Sequence, residues 1–142
     1  MSSLNEQFYW SAWGGELVDV KRVVRDDADV NFKHEDGSTA LHGASVRGYT
    51  ELVRFLVEKG AEVNCRDNLG NTALHFGSTN GHTEVVRFLI ENGADIHCQD
   101  YIVGWTALHY ACQCGALDAA FILFLEGADL SVTNMDGKSP LD

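Results

Sequence analysis

Between Glu51 and Lys59 the apolar and polar positions fall on two sides of one helix. Leu52, Val53, Leu56 and Val57 form a stripe, and Glu51, Arg54 and Glu58 face away from it. The spacing predicts a helix over 51–59 that stops at Gly60. Ahead of it, Thr39 is placed to cap a shorter helix running to about Val46, its hydroxyl accepting an amide of the first turn, with Gly48 as a left-handed stop. Beyond it, Ala61-Glu-Val-Asn64 extends toward a hairpin tip, and Asp67-Asn-Leu-Gly70 turns the chain back. Neither helix can bury its apolar face alone, so each unit needs a neighbour to complete its core.

Those neighbours are present. Gly15, Gly48, Gly81 and Gly115 lie 33, 33 and 34 residues apart, and so do Ala28, Ala61, Ala94 and Ala128. The segments Asp36-Gly-Ser-Thr-Ala-Leu-His42, Gly70-Asn-Thr-Ala-Leu-His75 and Gly104-Trp-Thr-Ala-Leu-His109 recur in step with Gly60-Ala-Glu-Val-Asn64, Gly93-Ala-Asp-Ile-His97 and Gly127-Ala-Asp-Leu130. A fixed period of this size is the signature of stacked units. On these motifs the chain, from Phe8 to Asp142, resembles the ankyrin-repeat family. The reading is an all-α repeat solenoid of helix-turn-helix units joined by β-hairpin-like loops, one domain over 1–142. Repeat 1 spans about 5–33, repeat 2 about 34–66, repeat 3 about 67–99 and repeat 4 about 100–133, with a partial repeat 5 over 134–142.

The ends differ from the middle. In the first unit Phe8 stands where Leu41 stands, Ser11 for Ala44 and Asp27 for Gly60, and Lys21, Arg22 and Arg25 give its second helix the polar surface of an end cap. The chain stops in Asp136-Gly-Lys-Ser-Pro-Leu-Asp142, where another helix should begin. The expectation is a natural N-terminus and a truncated C-terminus, as in the N-terminal recruiting domain of a larger protein.

Composition and charge narrow the partners. With 45% hydrophobic and 22% charged residues, the 142-residue chain is globular in type, and Pro140 is its single proline. A net charge of −11 repels phosphate backbones and anionic lipid, so neither nucleic acid nor membrane is an expected partner. Another protein with a basic or mixed surface is, the chain itself being a monomer or weak dimer. No apolar run reaches the length of a membrane span and no signal peptide opens the chain, which predicts a cytoplasmic or nuclear protein. Cys65 and Cys98 hold equivalent positions in stacked units, roughly 8–10 Å apart. A disulfide needs Cα atoms within about 7 Å, so the four cysteines are expected to be free thiols.

Catalytic chemistry has little to stand on. His42, His75 and His109 recur with the repeat, and no nucleophile accompanies them. The family resemblance implies that they link neighbouring repeats through backbone hydrogen bonds. His109 and Cys112 share a helix face, but Cys114 points elsewhere, so Cys112-Gln-Cys114 does not assemble a four-ligand zinc site. Asp29, Glu62, Asp95 and Asp129 recur as architecture rather than as an acid/base pair. No phosphate-cradling glycine loop or hydrolase elbow occurs. The expectation is no enzyme, no cofactor and no metal.

Function is therefore sought where one unit departs from the others. An extra residue in the tip Asp100-Tyr-Ile-Val-Gly-Trp105 replaces a polar turn with Tyr101, Ile102, Val103 and Trp105, residue types that cost solubility in the open and anchor interfaces. With the variable inner-helix positions Trp13, Arg47, Thr79, Asn80 and Gln113 and the tip residues Leu69 and Asn71, they form the candidate partner-binding stripe. A possible second surface is Phe121 and Leu125, which stand where Arg54, Arg87, Glu58 and Glu91 stand in other units.

The leading expectation is a non-catalytic protein–protein interaction module that uses a concave face and hairpin tips. The alternative, implied by the family resemblance, is a regulatory protein hydroxylated by an asparaginyl hydroxylase at Asn31, Asn64 or His97. A zinc-binding or redox protein is the outlying third.

Overall fold

The computed structural model describes residues 3–142. The described chain forms eight helices: α1 Leu4–Trp13, α2 Leu17–Arg25, α3 Ala40–Arg47, α4 Thr50–Glu58, α5 Ala73–Thr79, α6 Thr83–Glu91, α7 Ala107–Gln113 and α8 Leu117–Leu125. They alternate between two rows. The inner helices α1, α3, α5 and α7 pack one on the next, each also packs on the outer helix that follows it, and α4, α6 and α8 continue the outer row. The described residues contain no strand. The hairpin-like loops are turns stitched to their neighbours by single backbone bonds, Asn68 N to Asp36 O, Tyr101 N to Leu69 O and Met135 N to Val103 O, rather than by a ladder.

Local sequence sets the helix ends. Thr39, Thr72 and Thr106 hold extended backbone, and each hydroxyl accepts the amide of the histidine three residues on. Gly48 closes α3 in the left-handed conformation, with φ 73°. Helices α3, α5 and α7 are about two turns long and α1 under three, too short to persist alone, and their stability comes from what they bury. Leu41, Leu74 and Leu108 fill the space between inner helices and the outer residues Leu52, Leu56, Leu89 and Leu123, all buried.

The recurring histidines tie the stack together. Nδ1 of His42, His75 and His109 accepts the amide of Thr39, Thr72 and Thr106 at 2.9, 2.9 and 3.1 Å. The ring proton therefore sits on Nε2, which donates forward into the next unit: His42 to Cys65 O and Asn71 O, His75 to Cys98 O and Trp105 O, His109 to Lys138 O. In the first unit Tyr9 stands at this register position, and its hydroxyl makes the forward bond to the Ser38 hydroxyl at 2.5 Å.

Gly43 shows how tightly the rows meet. A Cβ there would lie 2.5 Å from the Trp13 ring, which is held in turn against Tyr9. Alanine favours a helix over glycine by about 1 kcal/mol. Gly43→Ala is nonetheless expected to lower stability by about 1–3 kcal/mol in urea unfolding, because the indole has to move. An unchanged or raised midpoint would show that the ring yields freely.

Candidate protein-interaction surface

The tips are each built around one side-chain acceptor, half-buried in Asp67 and buried in Asp100. Asp67 Oδ1 accepts the amides of Leu69 and Asn71. In the longer tip, Asp100 Oδ1 accepts three amides, from Ile102, Val103 and Gly104 at 2.9, 2.8 and 3.0 Å, and Oδ2 accepts the Tyr110 hydroxyl at 2.5 Å. The inserted residue is thus absorbed without loosening the turn. Burial pushes the Asp100 carboxyl upward, but the Tyr110 hydroxyl and the three amides outweigh it and hold the group below the usual carboxylate range. The same burial and hydrogen bond push the Tyr110 phenol upward.

This scaffold holds apolar side chains in solvent. Leu69, Tyr101 and Ile102 are 53%, 54% and 62% exposed, and Val103 is exposed beside them. Tyr101 is braced as well as exposed: the Arg66 guanidinium lies over its ring at 4.2 Å, and the ring edge closes on Gly70. Gly70 has φ 82°, and an added Cβ would meet Tyr101 N at 2.7 Å, so both conformation and space demand glycine there. Arg66 itself is fixed by the carbonyls of Gly70 and Gln99. Met135, exposed on the following tip and bonded to Val103, extends the patch. Sequence comparison missed Met135 and Arg66, although Met135 occupies the register position of Asn68 and Tyr101.

Other residues of the stripe are placed differently. Arg47, Asn80 and Gln113 are exposed at the ends of α3, α5 and α7. Trp13 is half-buried against Gly43, committed to packing α1 on α3. Thr79 bonds back to His75 O, and the Asn71 carbonyl takes the His42 proton. Trp105 is half-buried, its ring stacked on His109 at 6.3 Å and edge-on to Tyr110 at 5.0 Å, while its carbonyl is held by His75. The exposed tip patch therefore consists of Leu69, Tyr101, Ile102 and Val103 with Met135, while the half-buried Trp105 packs on His109 and Tyr110. Tyr9 is buried, while Trp10 is exposed beside His34. Phe76 and Tyr110 pack edge-on against His42 and His75.

Phe121 and Leu125 are 60% and 62% exposed on α8, and Leu117 and Phe124 widen that patch to the length of the helix. Asn31 and Asn64 are engaged at both ends of their amides, Asn31 with Gly60 O and Glu62 N, Asn64 with Gly93 O and Asp95 N. His97 Nε2 accepts the amide of Asp129. Asn5, on α1, makes the equivalent bond to Asp29 N ahead of the first unit. Cys65, Cys98, Cys112 and Cys114 are free, and among the described residues no three His, Cys, Asp or Glu side chains converge as a metal-binding group. No helix among the described residues is long and apolar enough to cross a membrane.

Comparison with known proteins agrees with this architecture. The family described as ankyrin repeats in three copies matches residues 8–100, and the one described as ankyrin repeats in many copies matches residues 78–125. The chain belongs to the ankyrin-repeat family, whose members typically serve as non-catalytic modules for binding other proteins. Apoptosis-stimulating of p53 protein 2 from Homo sapiens is 40% identical over 48 residues, and so is the Mus musculus protein of that name. The match covers 34% of this chain and spans 4% of the length of either relative.

Proposed function

We propose that the protein is a non-catalytic recruiting module that grips a partner protein with its tips, Leu69, Tyr101, Ile102 and Val103 supplying the anchors and Arg47, Asn80 and Gln113 the polar margin. The observation that supports this most strongly is the combination of exposure and fixity at the 100–104 tip. Apolar side chains that stay in water usually belong to an interaction site. Here three amides on one carboxylate and a guanidinium on the Tyr101 ring hold them in place before any partner arrives. A preorganised surface loses little entropy on docking. The net charge of −11 favours a partner with a basic or mixed surface. Four free thiols fit a reducing compartment, cytosol or nucleus.

The test compares affinity capture by the wild type, by Leu69→Glu with Ile102→Glu, and by Phe121→Glu. All three substituted side chains are exposed, so folding by circular dichroism should be unchanged. The tip variant is expected to lose its specific partners by at least about tenfold, as removal of interface anchors does, while Phe121→Glu retains them. Equal capture by the wild type and the tip variant would discard the tips as the binding site.

A further inference from the structure

The basic side chains of this acidic chain gather on the outer row of helices, most densely on α2, where three of them stand with a single carboxylate, Asp19. Lys21, Arg22 and Arg25 on α2, Arg54 on α4, Lys59 at the end of α4 and Arg87 on α6 are six of the ten lysines and arginines in a protein of net charge −11. Arg22 pairs with Asp19 at 3.8 Å and Arg87 with Glu84 at 3.5 Å. Among the described residues Lys21, Arg25, Arg54 and Lys59 have no carboxylate within the 4.0 Å of an ion pair. Three of them lean over rings instead. The Lys21 and Lys59 ammonium groups lie 5.7 and 5.8 Å from the Phe55 ring centre, and the Arg54 guanidinium lies 5.0 Å from that of Phe88.

These groups enclose a shape as well as a charge. Phe55, half-buried, lines a hollow of about 620 Å³ between α2 and α4 with Val24, Lys21, Arg25 and Lys59. A second hollow carries on from Phe55 to Arg54 and Phe88. Glu58 lines both hollows and Glu51 the second, so four cations against two carboxylates leave the groove locally positive. A volume of this size accepts a large side chain.

We propose that this groove seats an acidic peptide segment carrying one aromatic or aliphatic anchor. The anchor packs on Phe55 between the two ammonium groups, and flanking carboxylates reach Lys21, Arg25, Arg54 and Lys59. Charge complementarity selects this occupant: an incoming carboxylate gains cations that have no ion pair to break. A polyphosphate or an anionic bilayer offers charge without a side-chain anchor for the apolar floor.

The probe is a short synthetic peptide of glutamates around one central phenylalanine, titrated into isotope-labelled protein and followed by amide shifts. Expected shifts are confined to α2, α4 and the vicinity of Phe88. Lys21→Gln with Lys59→Gln should weaken binding about tenfold, as loss of close charge pairs does, with circular dichroism confirming the fold. Serine in place of the phenylalanine should weaken it by a similar factor. Leu69→Glu with Ile102→Glu should bind the peptide as the wild type does, so failure here leaves the tip site standing and the reverse also holds. Absence of shifts on α2 and α4, or equal response to the serine peptide, to inorganic polyphosphate or to phosphatidylserine vesicles, would overturn the proposal.

Discussion

His75→Ala is expected to cost about 3–5 kcal/mol, a large part of what holds a domain of this size together. The imidazole is buried and makes bonds in both directions. Its removal strands the Thr72 amide within the unit and the carbonyls of Cys98 and Trp105 in the next. The lost bonds cross a repeat boundary, so urea unfolding should broaden or split as the fourth unit uncouples from the third. A pH series checks the protonation state of the ring. Burial is the main cause that lowers the His75 value from its ordinary 6.5, with Arg66 adding to it. The Cys98 and Trp105 carbonyls and the Asp100 charge oppose it. His42 is lowered likewise by burial, against the charges of Asp67 and Asp36 and the carbonyls of Cys65 and Asn71. With folded values below the unfolded one, the unfolded chain binds more protons beneath about pH 6.5. Wild-type stability is thus fully present above that pH and declines as pH falls toward the folded values, by about 1.4 kcal/mol per pH unit for each histidine. His75→Ala should flatten this slope. A wild-type profile with no slope in that window would contradict neutral buried rings.

Asp100→Ala should be comparably damaging, about 3–5 kcal/mol, because four donors lose their acceptor at one buried position. Its effect should also reach function. With the Ile102, Val103 and Gly104 amides released, their hydrogen exchange should accelerate more than that of α3 or α4, and partner capture should fall even though no surface side chain has changed. Asp100→Asn is the discriminating control. Its Oδ1 can still take the amides, as Asn134 does for Asp136 and Lys138 on the following tip. The asparagine should lose only about 1 kcal/mol and keep the tip closed. Equal damage from both substitutions would show that charge, rather than the position of one oxygen, closes the turn.

The repeat architecture was legible because it is written in short-range chemistry. Thr39 with Gly48 and the Leu52–Val57 stripe place two helices at 39–46 and 51–59, and the structure has them at Ala40–Arg47 and Thr50–Glu58. The histidine links came from the family resemblance, and their tautomer and partners from the coordinates. The stripe was legible only in part. Register identified which side chains vary, but not which way they turn. Tyr101 and Ile102 stay in solvent, whereas Trp105, two residues beyond Val103, folds onto the rings of His109 and Tyr110 in its own unit, a packing choice that the register does not carry. Trp13 is settled by a glycine 30 residues away, Gly43, that leaves room for its ring.

Periodicity, caps and turn residues by themselves determined that this chain is a stack of two-helix units, since each signal acts within a few residues of where it is read. Tertiary structure alone decided which exposed groups have neighbours. The Lys21, Lys59 and Phe55 groove joins helices from different repeats, and the tip patch depends on bonds between turns some 33 residues apart. Contacts between units depend on how far one repeat is displaced from the next, and no local pattern along the chain carries that distance.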